Sequence, residues 1–187
     1  MLQMNEQNDL FWQLLEPEYK TAMLYCRKLM QDREKGNDLF QDTLVIAIQK
    51  FGQLKNHDAF RPWLYQVIIN KFKSSVRVSN KRRWLPFTPE TEDILVSDNP
   101  TNKQIAKLWI EKLFKVISSD EQALIVLYEM EQWSIKELAS LHSKSEGSIK
   151  LKLFRVRKKL KKEMVRLSSD NQSSFKELSK LVNAYVM

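Results

Sequence analysis

Apolar residues recur at intervals of three and four along most of the chain, and no alternating pattern typical of strands persists. This spacing predicts an all-α protein. In the first half of the chain we expect helices at about Leu10–Glu16, Glu18–Met30, Lys35–Phe51 and Asp58–Val78. Pro17 separates the first two because proline disrupts a helix interior, and Pro62 is tolerated in the first turns of the fourth.

Residues 85–102 interrupt the helical pattern. They contain three prolines and four acidic residues but no lysine or arginine, a composition that predicts an acidic and mostly irregular linker. The predicted organisation is therefore two small helical domains joined by this linker. The boundaries are a first domain at 1–84, the linker at 85–102, a second domain at 103–166, and a tail at 167–187 made of a spacer and a short amphipathic helix.

The most informative pattern lies between residues 134 and 162. Ser134, with Glu137 three positions later, predicts a capping box that starts a helix. A short turn at 142–144 follows, and Ser145 can cap a second helix. The apolar stripe of that second helix is Ile149, Leu153, Val156 and Leu160. A short helix, a tight turn and a longer basic helix form the layout of a helix-turn-helix, whose second helix lies in the major groove of DNA.

The second helix of this motif concentrates the positive charge of the chain. The protein has 31 Lys and Arg against 23 Asp and Glu, giving a net charge of +8, and residues 144–166 hold ten basic and two acidic side chains. Such a run is typical of a surface that binds a polyanion such as nucleic acid. The alternatives are a basic face that is only solvated, or one that binds a membrane surface or an acidic protein. The side chains that point away from the stripe are Ser148, Leu151, Lys152, Arg155, Lys158 and Lys162. Leu151 either contacts a thymine methyl group or packs on the C-terminal segment.

One face of the helix predicted at Lys35–Phe51 is acidic. Asp38, Gln41 and Asp42 share an exposed face because they fall at positions i, i+3 and i+4. The side expected to be buried is Leu39, Thr43, Leu44, Ala47, Ile48 and Phe51. The exposed carboxylates suit solubility, a basic partner, or a metal or acid-base site. No histidine or third carboxylate is positioned to complete such a site, so we predict no catalytic residue and no metal.

Basic and aromatic residues alternate between residues 57 and 84. The basic ones include Lys71, Lys73, Arg77, Lys81, Arg82 and Arg83, and the aromatic ones include Trp63, Tyr65, Phe72 and Trp84. This combination suits unstacked single-stranded bases and their backbone. The alternative is that the aromatic residues belong to the core, as the apolar neighbours of Trp63 indicate.

Several functional classes are disfavoured by composition. Three glycines leave no phosphate-cradling loop, and Cys26 with two histidines cannot make a usual zinc site or an internal disulfide. A single cysteine fits a reducing compartment. No secretory signal and no apolar run of about 20 residues is visible. We therefore expect a cytoplasmic protein without cofactor or membrane insertion, and Cys26 in the core.

Two blocks of sequence resemble the extracytoplasmic-function (ECF) sigma factors of the sigma-70 family. DLFQDT at 38–43, followed by AFRPWLYQVIIN at 59–70, is similar to that family's helices for core polymerase and the minus-ten promoter element. DEQALIVLYEMEQWSIKELA at 120–139 and SEGSIKLKLFRVRKKL at 145–160 resemble its minus-thirty-five domain. The resemblance covers roughly residues 10–165, and the order of the blocks is far more specific than a lone helix-turn-helix.

The resemblance implies roles for individual residues, none of them catalytic. The positions implied to bind the clamp helices of RNA polymerase are Asp38, Leu39, Gln41 and Asp42. Those implied to open and read the minus-ten element are Lys55, Asn56, His57, Asp58, Phe60, Asn70, Lys71, Lys73, Ser74 and Arg77. Those implied to read the minus-thirty-five element are Ser148, Lys150, Leu151, Lys152, Phe154, Arg155 and Lys158. The implied partners are core RNA polymerase, promoter DNA as duplex and melted strand, and an anti-sigma factor.

Two other functions are kept as alternatives. A conventional helix-turn-helix regulator would bind duplex DNA as a dimer without polymerase, but it leaves DLFQDT and the linker unexplained. An enzyme acting on nucleic acid would use Asp38 and Asp42 to hold a metal.

The sequence also departs from the family at Ser143 and Lys144, where the family often has a turn glycine and a buried aliphatic residue.

Overall fold

A computed structural model describes residues 2–81 and 108–169, with side chains from 7–78 and 108–168. These residues are helical apart from short turns and include no strand, so the predicted all-α class is confirmed. The helices are α1 (Leu2–Met30), α2 (Arg33–Lys50), α3 (Phe60–Lys81), α4 (residues 108–114), α5 (Ser119–Glu129), α6 (Ile135–Leu141) and α7 (Glu146–Ser169). The chain divides into two compact units, Met1–Glu90 and Thr91–Met187.

The predicted linker and most of the predicted tail lie outside the described residues, so the bounds of the four predicted segments stay predictions. The amphipathic segment expected near Phe175–Tyr185 is outside them as well. Helix α7 continues to Ser169, three residues beyond the predicted end of the second domain at Arg166. Helix ends shift by one or two residues with the criterion that is used to assign them.

Helix α1 runs without a break through Pro17, so the boundary predicted there is wrong. Proline in a helix interior removes one hydrogen bond and crowds the preceding turn, at a cost of about 3 kcal/mol. Apolar side chains on both sides of it are nevertheless buried in one core: Phe11, Leu15, Ala22, Tyr25, Cys26 and Leu29. A large buried side chain contributes about 1.5–3 kcal/mol. Burial on both sides therefore outweighs the local penalty.

The turn between α1 and α2 is short and tightly specified. Gln31 adopts a left-handed conformation with φ of 55°, and Asp32 caps α2 by accepting a hydrogen bond from the Lys35 N–H at 2.9 Å. Gly36 then faces α1 so closely that an added Cβ would lie 2.8 Å from the backbone N of Arg27. The two helices can approach this closely because position 36 carries no side chain.

Aromatic rings fill the core of the first unit where α1, α2 and α3 meet. Phe11 contacts Phe51 and Phe60 edge to face, with ring centroids 5.3 and 5.7 Å apart. Tyr25 and Tyr65 pack against each other at 5.3 Å. The hydroxyl of buried Thr43 donates to the Leu39 carbonyl at 2.7 Å, which satisfies it inside the core.

Cys26 is fully buried in this core, as predicted. Burial raises the pKa of its thiol well above the ordinary value, and a backbone hydrogen bond lowers it only in part. The thiolate, which is the reactive form, is therefore disfavoured at neutral pH.

The second unit is built from α4 to α7 around a separate core. Leu124, Leu127 and Leu138 are fully buried, and Trp133, which follows α5, is buried as well. The predicted stripe of α7 is confirmed, because its four members are all buried. Capping boxes start α5 at Ser118 and α6 at Ser134.

Substitution of Gly36 tests the close approach of α1 and α2. Gly36→Ala is expected to lower the free energy of unfolding by about 2–3 kcal/mol, because the new methyl group overlaps backbone atoms that cannot move aside. Gly147→Ala is the matched control, since a Cβ there meets no atom within 4 Å. It should be neutral or stabilising by up to about 1 kcal/mol. Urea denaturation followed by circular dichroism measures both; equal effects would contradict the packing.

Candidate functional site

The exposed face of α2 is acidic at one end and apolar at the other. Asp38, Gln41 and Asp42 are exposed, as predicted, whereas Leu39 beside them is buried. Val45 continues the same face with 57% of its surface exposed, and Ile48 is also exposed. The expectation that Ile48 lies on the buried side is therefore wrong: α2 is rotated so that Phe40 and Gly36 take up the contact.

The acidic end of this face contacts α3 directly. The ammonium group of Lys71 lies 2.7 Å from a carboxylate oxygen of Asp42. Asp38 has no ion pair with any described residue, although it lies one turn away on the same face. The sequence pattern assigns Asp42 and Lys71 to two different surfaces, and the packing of α2 on α3 brings them together.

The connection between α2 and α3 is held by an aromatic stack and a cap. The imidazole of exposed His57 stacks on the ring of buried Phe51 at 5.5 Å, with 18° between the planes. The side chain of Asn56 accepts a hydrogen bond from the Asp58 N–H at 3.0 Å. Lys55 and Asp58 are exposed, whereas Phe60 is buried. The loop therefore presents polar groups to solvent over a fixed aromatic base.

The outward face of α3 carries the remaining candidates of the first unit. Asn70, Ser74 and Arg77 are exposed, and Lys71 and Lys73 are half-buried. Tyr65 and Phe72 lie in the core, so their side chains are not available to stack on bases, and Trp63 is half-buried against Phe51 and Phe60. The core interpretation is therefore correct for Tyr65 and Phe72; the side chains of Lys81–Trp84 lie outside the described residues.

The helix-turn-helix has the local geometry that the sequence predicts. The Ser134 N–H donates to Glu137 Oε2 at 2.8 Å while Ser134 Oγ accepts from the Glu137 N–H at 3.2 Å. Ser143 takes a left-handed φ of 50° in the turn. Ser145 Oγ accepts from the Ser148 N–H at 3.2 Å and so caps α7. The capping box, the turn and the second cap are all confirmed.

Two basic residues of α7 form ion pairs with the preceding helix α5. Arg157 donates to Glu129 Oε1 at 2.8 and 2.6 Å and lies over the ring of Tyr128. Lys159 lies 2.6 Å from a carboxylate oxygen of Glu121. These two cations tie α7 to α5. The sequence pattern did not separate them from the rest, although the Ser-x-x-Glu signature at 118–121 marks one of their partners.

The exposed surface of α7 carries most of the candidate residues for the minus-thirty-five element. Exposed residues there include Ser148, Lys150, Leu151, Phe154, Arg155 and Lys158, with Lys152 half-buried. None of the four basic side chains named here forms an ion pair within the described parts of the chain. Phe154 is 63% exposed and Leu151 is 48% exposed. The C-terminal segment is not described, so both interpretations of Leu151 stay open.

Two matches to family models follow this division into units. Residues 14–83 match the model of sigma-70 region 2, and residues 102–160 match that of sigma-70 region 4. The chain belongs to the sigma-70 family, in its ECF branch. Within the described residues of this sigma factor, no helix is long and apolar enough to cross a membrane. No group of three or more His, Cys, Asp and Glu side chains there is arranged to hold a metal.

Relatives of this sigma factor come from several bacteria. It is 24% identical to RNA polymerase sigma factor YlaC of Bacillus subtilis, over 79% of this chain and 88% of that one. It is 26% identical to RNA polymerase sigma factor NccH of Alcaligenes xylosoxydans, over 80% and 84%. ECF RNA polymerase sigma factor SigM of Mycobacterium tuberculosis is 21% identical, over 80% and 74%.

A solved structure with the same fold is that of sigma factor RpoE from Bartonella quintana, in complex with the anti-sigma factor NepR. It is 22% identical to this chain, with a TM-score of 0.61, and the match covers 82% of this chain and 96% of that one. The fold predicted from the resemblance, including the helix-turn-helix, is thereby confirmed.

The Glu121–Lys159 pair predicts acid sensitivity of the second unit. Burial raises the pKa of Glu121, but hydrogen bonds from Lys159 and Ser118 outweigh it and hold that pKa below its ordinary value. A lowered folded-state pKa contributes stability above the unfolded pKa, near pH 4.5, that is lost as pH falls through the folded one. Glu121→Gln keeps a capping side chain, so it should remove this pH dependence and cost about 1 kcal/mol at pH 7.

Unfolding by urea at pH 7 and at pH 3 measures this effect. Glu111→Gln is the control, because Glu111 has no ion pair within the described residues. If the wild type and Glu121→Gln lose stability equally between the two pH values, the assigned role of Glu121 is wrong.

Proposed function

We propose that this sigma factor joins core RNA polymerase and directs it to promoters, where it reads two DNA elements and helps to open the duplex. The observation that carries the proposal is the order of two sigma-70 regions, each with an outward face suited to a different partner. The first unit offers a carboxylate and apolar face on α2, and the second offers a basic face on α7.

The polymerase contact is assigned to the exposed face of α2. Asp38, Gln41 and Asp42 are its polar part, and Val45 with Ile48 extends it by one and a half turns. A face of this kind fits a partner with basic groups beside apolar ones, because charge gives orientation and apolar area gives affinity. Leu39 is buried, so its contribution is to hold α2 in place.

The minus-ten contact is assigned to the loop at 55–60 and the outer face of α3. His57 and Asn56 are fixed by the stack on Phe51 and by the cap, so the loop is pre-organised to receive an unpaired base. Taking a base out of the stack costs a few kcal/mol. Phe60 is buried and supports the loop from below.

The minus-thirty-five contact is assigned to the outward face of α7. Ser148, Leu151 and Lys152 lie near its amino end, the part of a recognition helix that meets base edges. Arg155 and Lys158 lie farther along and suit phosphates. Phe154, with 63% of its surface exposed, supplies apolar contact to the DNA. Two weak domains on one chain gain effective concentration from their linkage.

The chain performs no covalent chemistry in this proposal, since the polymerase carries out synthesis. It acts in the cytoplasm, with the polymerase. The structure of the similar RpoE contains an anti-sigma factor, NepR, and we extend that class of partner to this chain. A conventional dimeric regulator is the less favoured function, because it assigns no role to the exposed face of α2.

Removal of both carboxylates from α2 tests the polymerase contact. Asp38→Ala with Asp42→Ala is expected to weaken binding of core polymerase at least tenfold and to reduce run-off transcription in proportion, because two charges of the docking face are lost. Glu16→Ala is the control, since this carboxylate is exposed on α1 instead. Co-purification with core polymerase measures the binding. Retained binding together with lost metal uptake would favour a nuclease-like enzyme.

Two lysines of α7 are expected to differ in their effect on DNA. Lys158→Ala should weaken promoter binding across sequences and flatten its salt dependence by about one unit, as expected for a phosphate contact. Lys152→Ala should change sequence preference, because it lies near the amino end of the helix. Both are measured with the assembled polymerase on duplex promoters at several salt concentrations. Identical behaviour of the two variants would refute the orientation assigned to α7.

A further inference from the structure

The Asp42–Lys71 ion pair joins two surfaces that have different proposed partners. Asp42 belongs to the face of α2 assigned to polymerase, and Lys71 to the face of α3 assigned to minus-ten DNA. Their charged atoms are 2.7 Å apart, and the side chains are 58% and 28% exposed respectively. Each charged group is therefore neutralised by the other, while both side chains remain partly accessible to solvent.

We propose that this ion pair makes polymerase binding and minus-ten DNA binding mutually supportive. In the free chain the carboxylate of Asp42 neutralises Lys71 and so weakens its attraction for a phosphate. When a basic group of the polymerase takes up Asp42, the ammonium group of Lys71 is released for DNA. Asp42 is thus a positioning residue for a DNA contact as well as part of the docking face, and the inference rests on the proposed function.

Exposure determines which of the two groups changes partner first. Asp42 is the more exposed of the pair, so a cation of the polymerase can approach it without moving α3. Lys71 is the less exposed of the two side chains. An ion pair that is partly exposed shifts an equilibrium by about two- to five-fold. This is enough to bias a weak interaction without blocking it.

Coupling of this kind is reciprocal. If polymerase improves DNA binding by freeing Lys71, DNA must improve polymerase binding by the same factor through the release of Asp42. Breaking the pair from either side should therefore strengthen the interaction made by the group that is left. If the Asp42–Lys71 pair only stabilised the fold, its loss would instead weaken both polymerase binding and DNA binding.

The first test measures DNA binding by the full-length free protein. The probe is a fluorescent single-stranded DNA oligonucleotide of mixed sequence, followed by anisotropy at low salt. Asp42→Asn should bind it about two- to five-fold more tightly than Asp38→Asn. Both variants lose one negative charge from the same face, but Asp38 has no ion pair with the described residues. Equal affinities would overturn the proposal.

A Lys71→Ala background shows whether the effect passes through this lysine. In that background Asp42→Asn and Asp38→Asn should bind the oligonucleotide equally, because no ammonium group is left to be released. A difference that persists would assign the effect to some other group and would also overturn the proposal.

The second test measures the opposite direction with core polymerase. Lys71→Ala should bind core polymerase about two- to five-fold more tightly than Arg77→Ala, which removes one exposed charge from the same helix. If the wild-type chain does not bind core polymerase, the proposed function itself fails. If it binds but the two variants match, only the coupling fails.

Discussion

The contact between Gly36 and the backbone of Arg27 determines which side chains of α2 are exposed to solvent. Two helices this close have a single rotational setting, because a turn of α2 about its axis would bring a side chain into the space that only glycine leaves open. In that setting Leu39, Phe40 and Thr43 point inward. Asp42 and Val45, on the opposite side, are left exposed. The surface assigned to the polymerase is a consequence of that packing.

The same logic separates structural from functional charge in α7. Repulsion between many cations on one helix destabilises the folded state, and pairing some of them with carboxylates reduces that repulsion. Arg157 and Lys159 are paired with carboxylates of α5, so they hold the helix to its unit. The basic groups of α7 without an ion pair in the described residues include Lys150, Lys152, Arg155 and Lys158. Net charge alone therefore overstates how many cations are available to DNA.

Local signatures explain what the sequence predicted well. The capping box at Ser134 and Glu137, the cap at Ser145 and the stripe of α7 depend on residues within a few positions of one another, so they are legible without tertiary information. The helix boundary predicted at Pro17 is wrong because the energetic penalty of proline is a local effect, whereas the burial of side chains that offsets it depends on tertiary packing. Ile48 and the Asp42–Lys71 pair depend on how α2 meets its neighbours, which no spacing along the chain encodes. The polymerase and DNA contacts stay predictions.

Three reversals of the chain use residues with side chains in the left-handed region: Gln31, Gln132 and Ser143, with φ of 55°, 55° and 50°. A glycine at these points would have many conformations of similar energy, whereas a residue with a Cβ has few. The three connections α1–α2, α5–α6 and α6–α7 therefore have fewer accessible backbone conformations than glycine would allow. Each unit can therefore bind its partner with little loss of conformational entropy at these connections.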